Sequence, residues 1–196
     1  MHAFGKRSEY FNRTLFENVV NNLRRKRKYK RKNQTLILFT GIPQNVSFNN
    51  SRRQNVIDFQ SHVIEFLENY FVQERSESRH VYCYDEGNFM IYGFGDSRMD
   101  TIHLVSVIND KLYQIVQQSQ IHLLVTPYFG IDEVNEKESL LEAIENASLS
   151  RKISEKNFEM FNFYQSGFRQ SASKDDAQRI LDALKNKEFV VYYQPK

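Results

Sequence analysis

A short polar segment, residues 85–88, carries the side chains best suited to chemistry in this sequence. Asp85 and Glu86 stand side by side, Gly87 and Asn88 follow, and apolar and aromatic runs lie on both sides. This pattern predicts two strands joined by a tight turn. Carboxylate oxygens are ligands that Mg²⁺ and Ca²⁺ prefer, so the two acidic residues are a candidate metal site. Acidic residues and glycine are common in turns because they favour the turn itself, so we favour that role for Asp85 and Glu86 and predict no metal site.

The residue types that act as nucleophiles or zinc ligands are not arranged for catalysis. The histidines show no paired ligand spacing, and no Ser/His/Asp or Cys/His combination is suggested. The single cysteine, Cys83, lies in the strand pattern before the turn, so we expect a buried thiol. One cysteine cannot form an internal disulfide, and this usage is typical of a reducing cytoplasm. We therefore expect a cytoplasmic protein without a cofactor.

A second unusual segment is strongly basic. The chain has 27 basic and 24 acidic residues, and eight of the basic ones fall within nine positions, which leaves the remainder acidic by five. Such a run can engage an acidic membrane, nucleic acid or an acidic protein face. The alternative is a solvated helix end, and a nucleic acid partner is disfavoured because Tyr29 is the one aromatic residue in the run. The docking candidates are Arg24, Arg25, Lys26, Arg27, Lys28, Lys30, Arg31 and Lys32.

The elements that must position these segments follow from length and hydrophobic spacing. At 196 residues the chain has room for one domain and an appendage, and no apolar run approaches the ~20 residues of a membrane span. The pattern predicts helix, strand, helix, two strands, helix, strand, helix and strand. A hairpin among strand–helix units indicates an α+β fold with a mixed central sheet flanked by helices. The helices are predicted at about 9–28, 55–71, 101–118 and 137–151, and the strands at 35–39, 80–94 (the hairpin), 121–126 and 158–161.

The sequence changes character after residue 164. Residues 165–173 are rich in serine and glutamine and predict a linker, and residues 175–187 predict a helix. Residues 188–196 begin a new strand. The predicted organisation is therefore a domain at 1–164, a linker and connecting helix at 165–187, and the start of a second domain at 188–196.

The hairpin resembles the signature hairpin of the GGDEF (diguanylate cyclase) family. That family has Gly-Gly-Asp/Glu-Glu-Phe where this chain has Asp85-Glu86-Gly87-Asn88-Phe89, so only Phe89 is shared. Three further stretches resemble the family over residues 8–162. They are Asn12-Arg13-Thr14-Leu15-Phe16, Val125-Thr126-Pro127-Tyr128-Phe129-Gly130-Ile131, and the late helix and closing strand, where Ala147, Lys152 and Asn157 fall on family positions. The resemblance implies the palm-like fold of nucleotide cyclases.

The end of the chain resembles a different family. Residues 183–196 are similar to the start of EAL domains, the cyclic-di-GMP phosphodiesterases, which directly follow GGDEF domains in tandem proteins. The resemblance implies an EAL domain in cis, with its metal ligands beyond Lys196. It also implies that the longer protein can be a phosphodiesterase.

The resemblance to the cyclases implies a site that has lost its reactive groups. The family joins two GTP molecules with the help of two Mg²⁺ ions, held by carboxylates at the end of the first strand and in the hairpin. The first-strand position is Thr40, and the hairpin acids have become Gly87 and Asn88. The nucleotide-binding candidates that remain are Asn49, in the guanine-binding segment, and Lys152, which matches a phosphate-contacting lysine.

These observations predict a bacterial GGDEF-like regulatory domain without cyclase activity. It would modulate or scaffold the attached EAL phosphodiesterase, with a homodimer as a possible assembly. One alternative is a sensor that binds GTP or cyclic-di-GMP without turnover. The other is a basic docking module for acidic membrane or nucleic acid.

Overall fold

The computed structural model describes residues 13–41, 50–74, 78–85, 87–118, 126–168 and 185. The chain divides into two compact units, Met1–Tyr164 and Gln165–Lys196, and the helices and strands given below belong to the first. The predicted connecting helix at 175–187 and the strand at 188–196 lie outside the described residues, apart from Lys185. The domain boundaries therefore stay a prediction.

Four helices and five strands are found in the described part of the first unit. The helices are α1 (Arg13–Arg25), α2 (Asn50–Gln73), α3 (Arg98–Gln118) and α4 (Leu140–Asn157). The strands are β1 (Gln34–Thr40), β2 (Arg79–Asp85), β3 (Asn88–Phe94), β4 (Phe129–Val134) and β5 (Phe161–Phe163). Their order along the chain is the predicted one. None of the helices described is both long and apolar enough to cross a bilayer.

The strands form one mixed sheet in the order β2-β3-β1-β4-β5. β1 is central and runs antiparallel to both β3 and β4, while β2 is antiparallel to β3. β5 adds to the edge parallel to β4. The predicted α+β class, with a mixed central sheet flanked by helices, is confirmed.

Both faces of the sheet are covered by helices. Ile37 and Phe39 of β1 belong to the core cluster built with α2 and α3. Leu36 and Leu38 belong to the cluster built with α1 and α4. Burial on both faces explains why the central strand is a continuous apolar run rather than an alternating one.

The structure differs from the expected strands in two places. Residues 121–125 of the strand expected at 121–126 lie outside the described residues and Thr126 is not in a strand, whereas Gly130, which was expected to follow that strand, is inside β4. The alternation of β4 is hidden because Gly130 has no side chain and Asp132 is a buried acid. The predicted strand at 158–161 is wrong. α4 continues to Asn157, and Phe158 caps it in the left-handed conformation (φ 57°), so the last strand begins only at Phe161.

Candidate functional site

The turn between β2 and β3 lies against the end of β1. The backbone N–H of Gly41 donates to the carbonyl of Gly87 over 2.6 Å, which holds the turn beside the last residues of the central strand. Gly87 has a φ of 80°, a conformation that glycine adopts without a Cβ penalty. The register between β2 and β3 shifts between Cys83 and Asp85, as at a β-bulge. The predicted hairpin is thus present, and Gly87 of its turn lies next to the end of β1, where Thr40 is the last residue.

Thr40 and Asn88 form a neutral pair at this point. They are directly opposite each other in the β1–β3 ladder, and Oγ1 of Thr40 donates to Oδ1 of Asn88 over 2.7 Å. Asn88 is fully buried, and its Nδ2 has no hydrogen-bond partner among the described residues. A hydroxyl and an amide hold a divalent cation far less well than a pair of carboxylates. The pair itself therefore offers a weak metal site.

The other site residues considered for nucleotide or metal binding are only partly described. The side chains of Asp85 and Glu86, and the whole of Asn49, lie outside the described residues, so their roles stay predictions. Lys152 is exposed on α4. Among the described residues there is no group of three or more histidine, cysteine or acidic side chains that could hold a metal ion.

The neighbour of Lys152 is more buried than Lys152 itself. The Arg151 side chain is 15% exposed, and its Nη1 lies 3.7 Å from Oε2 of Glu155. Its Nε is buried without a hydrogen-bond partner in the described part of the chain. The Arg151 backbone lies against Gly130, which pairs with Leu38 two residues before Thr40. Arg151 thus lies on the face of the sheet that carries the Thr40–Asn88 pair, near the same end.

A polar cluster that the sequence did not predict lies on the same face, toward the start of β1. Asp132 is 3% exposed, and burial raises its pKa to about 7, with the nearby Glu138 carboxylate adding to the rise. Glu138 accepts from Nδ2 of Asn146 over 2.6 Å and from the Asn135 N–H over 3.0 Å. No donor among the described residues reaches Oδ2 of Asp132. The proton that Asp132 retains near neutral pH can instead be donated to Glu138.

The same cluster includes a buried tyrosine. The hydroxyl of Tyr92 donates to Oε1 of Gln34 over 2.7 Å. Burial raises the pKa of Tyr92 well above its ordinary value, and the Asp132 and Glu138 carboxylates raise it further. Tyr92 therefore stays protonated and serves the packing of β3 against β1.

Arg24 differs from the rest of the basic run. Its Nη2 donates to the carbonyls of Glu138, Asn135 and Glu136 over 2.6, 3.2 and 3.3 Å. This guanidinium therefore ties the end of α1 to the loop before α4, whereas the other seven basic residues of the run are exposed. The structure thus gives Arg24 a positioning role within the fold.

The arrangement defines a class of fold. The segment from β1 to β4 is a β-α-β-β-α-β unit with sheet order β2-β3-β1-β4, with a turn at the end of the central strand. This is the palm-like fold of nucleotide cyclases.

Solved structures identify the fold more closely as that of GGDEF domains. The GGDEF domain of TpbB (YfiN) from Pseudomonas aeruginosa has a TM-score of 0.57 at 12% identity, covering 83% of this chain and 94% of that one. The GGDEF domain of DgcB from Caulobacter crescentus, in complex with c-di-GMP, has a TM-score of 0.52 at 15% identity, covering 78% and 89%. The active GGEEF domain of a diguanylate cyclase from Vibrio cholerae has 0.51 at 14%, covering 82% and 96%. No protein-family model and no curated protein matches the sequence.

Proposed function

We propose that residues 1–164 are a GGDEF-fold domain that no longer makes cyclic-di-GMP and regulates or scaffolds an EAL phosphodiesterase attached in cis. The fold is the one that solved diguanylate cyclases share. The proposal differs from those proteins in the chemistry at the turn. The observation that carries it is the hydrogen bond between Thr40 and Asn88.

Phosphoryl transfer between two GTP molecules needs cations to offset the charge on the triphosphates. Those cations need carboxylates at the end of the first strand and in the hairpin. Here the cross-strand pair at that point is uncharged, and its hydroxyl and amide oxygen satisfy each other over 2.7 Å. A metal ion at the pair would have to break this hydrogen bond without gaining a charged ligand. This supports a domain that has kept its frame and lost its catalytic metal site.

The attached EAL domain is supported by the sequence of residues 183–196. The longer protein would then carry the domain at 1–164, the predicted connecting helix at 175–187 and the phosphodiesterase in that order. A rigid helix between two domains can transmit a change in the position of one domain to the other. This requires that the domain at each end of the helix has a different free energy in the two positions. Regulation of this kind requires a defined helical phase between the domains.

We expect the phosphodiesterase activity of the longer protein to change at least severalfold when residues 1–164 are deleted. Insertion of two alanines into the helix at 175–187 should have a similar effect, because each residue turns a helix by about 100°. A seven-residue insertion nearly restores the phase and is the matched control. The measurement is the rate of cyclic-di-GMP hydrolysis. Activity that is the same in the deletion, both insertions and the parent would remove the regulatory proposal.

A second candidate function is nucleotide sensing without turnover. One observation favours it: the buried Nδ2 of Asn88 and the buried Nε of Arg151 both lack partners among the described residues. Unpaired buried donors are costly, and an acceptor-rich ligand could satisfy them. They lie near the same end of one sheet face, but the carboxylates that would hold a nucleotide's metal are replaced by neutral groups at Thr40 and Asn88.

Calorimetric titration separates the two candidates. We expect no heat and no cyclic-di-GMP from GTP with Mg²⁺, and no heat from cyclic-di-GMP, because no charged metal ligand remains at the Thr40–Asn88 pair. Micromolar GTP binding that weakens in Lys152→Ala, but not in Lys137→Ala, would instead favour the sensor. Formation of cyclic-di-GMP would contradict both candidates.

A further inference from the structure

The exposed basic residues of the run form a compact surface, which we call the basic turn (residues 25–32). It joins the end of α1 to the start of β1 and is closed by backbone hydrogen bonds, including Tyr29 N–H to the Lys26 carbonyl (3.0 Å) and Lys32 N–H to the Tyr29 carbonyl (3.2 Å). Seven of its eight residues are cationic and exposed: Arg25, Lys26, Arg27, Lys28, Lys30, Arg31 and Lys32. The charge is therefore presented on a folded element.

Tyr29 anchors the basic turn to the domain. It is 5% exposed, and its ring packs on Phe94 with 4.7 Å between centroids. The ammonium groups of Lys28 and Lys32 lie 5.5 and 5.8 Å from the centre of the same ring. One aromatic side chain thus points inward while the cations on either side of it remain at the surface.

Six cations of the basic turn, all except Lys28, form no ion pair with an acidic side chain among the described residues. Ion pairs such as Arg79–Asp96 and Arg13–Glu17 involve other positions. Glu136 is close, but its Oε1 accepts from the backbone N–H of Arg31 over 3.1 Å. These six exposed like charges are sufficient to produce a strong local positive potential.

The position of the basic turn separates it from the hairpin. It ends two residues before Gln34, where β1 begins, whereas the Thr40–Asn88 pair lies at the other end of β1. A seven-residue strand spans roughly 20 Å. A partner held on the basic turn therefore lies at the opposite end of the sheet from the candidate site.

We infer that the basic turn docks this domain on an anionic lipid surface. Clusters of four to eight Lys and Arg residues bind such surfaces through summed electrostatic attraction. Single-stranded nucleic acid would need exposed rings for base stacking, and the ring of the basic turn is buried against Phe94. A duplex reader would place a helix or ribbon in a groove, whereas these cations surround a turn at a helix end. Mobile headgroups can match such a convex set of charges without fixed geometry.

The test is co-sedimentation of the chain with vesicles of phosphatidylcholine alone or mixed equally with phosphatidylglycerol. We expect binding to the anionic vesicles only, with a loss of binding as salt is raised. The variant Lys26→Gln/Arg27→Gln/Lys30→Gln should bind roughly a hundredfold more weakly, because each cation near an anionic surface contributes about a factor of five. The matched control, Lys137→Gln/Lys156→Gln/Lys185→Gln, removes the same charge from exposed positions elsewhere and should bind nearly as the parent does.

Three results would overturn the inference. One is an absence of binding to anionic vesicles at about 0.1 M salt by a chain with a cooperative thermal transition. Another is an equal loss of binding in both triple variants, which would make net charge the cause. The third is tighter binding to a DNA duplex than to the vesicles at the same salt concentration, which would assign the basic turn to nucleic acid.

Discussion

Replacement of Gly130 by alanine is expected to destabilise the first unit by about 3 kcal/mol or more. A Cβ at this position would overlap the carbonyl oxygen of Ala147 and the backbone nitrogen of Arg151, and would lie 2.7 Å from the Cβ of Arg151. All three atoms belong to α4, so no flexible side chain can move to make room. The free energy of unfolding, from urea denaturation followed by circular dichroism, is the measurement.

α4 cannot easily withdraw from Gly130 because it is hydrogen-bonded to the strands beneath it. Oγ of Ser154 donates to the Phe129 carbonyl over 3.0 Å, and Oγ of Ser150 donates to the Asn162 carbonyl over 2.6 Å. The control is Gly167→Ala, where an added Cβ meets nothing within 4 Å. Glycine-to-alanine changes at unstrained positions are neutral or stabilise by about 0.4–1 kcal/mol. A Gly130→Ala protein as stable as the control would mean that α4 does not pack backbone-to-backbone on β4.

The same glycine shows why β4 could not be predicted from hydrophobic spacing. β1 carries large apolar side chains on both faces of the sheet, which gives a recognisable apolar run from Leu36 to Phe39. The face of β4 beside Leu36 and Leu38 carries Gly130 and Asp132, one of which has no side chain while the other is an acid. Hydrophobic spacing is read from side chains. This face of β4 is instead buried by the close approach of the α4 backbone to Gly130, which has no side chain for the pattern to include. The resemblance to the Val-Thr-x-Ser-x-Gly-x strand indicated the strand that periodicity missed.

The hairpin could be predicted because its information is local. Two apolar runs around a polar segment with a glycine specify the turn, and the structure has β2 and β3 on either side of it. The hydrogen bond between Thr40 and Asn88 depends instead on the register of β1 against β3, between residues 48 positions apart. Composition cannot fix that register. Only the resemblance assigned both residues to one site.

The role of Arg24 also depends on distant residues. In the sequence it is one of eight equivalent cations. In the structure its guanidinium donates to carbonyls more than 100 positions away, while its neighbours in the run face solvent. Arg24 turns inward because the loop before α4 lies beside it, and the sequence pattern does not specify where that loop lies.

The buried acid Asp132 gives a prediction that depends on pH. Asp132→Asn is expected to raise the free energy of unfolding near pH 8 by about 2 kcal/mol. Burial raises the pKa of Asp132 from 3.8 to about 7 in the folded protein. Because the folded state raises the pKa of this carboxyl, its ionisation at higher pH destabilises the folded protein. The contribution of the carboxyl to stability is therefore full below about pH 4, falls as the pH rises through the interval up to about 7, and stays lost above it.

The measurement is urea denaturation of both proteins between about pH 4 and 8. The stability of Asp132→Asn should fall less than that of the parent across this interval, so that the two curves approach each other at the acid end. Asp110→Asn, at an exposed position of α3, is the matched control and should follow the parent within about 0.5 kcal/mol. Parallel curves for Asp132→Asn and the parent would contradict the assignment of the proton to Asp132.

The proton belongs on Asp132 because burial and the neighbouring Glu138 carboxylate raise the pKa of Asp132 by more than the hydrogen bond from Asn146 lowers it. Nδ2 of Asn146 and the Asn135 N–H both donate to Glu138, so both of its carboxylate oxygens have hydrogen-bond donors. Oδ2 of Asp132 has no donor among the described residues, so ionisation of Asp132 would leave a charged oxygen buried without a hydrogen bond. Asparagine at position 132 keeps the shape and can still donate to Glu138. Glutamine at position 138 would turn an amide toward those donors, so Glu138→Gln should destabilise the protein where Asp132→Asn stabilises it.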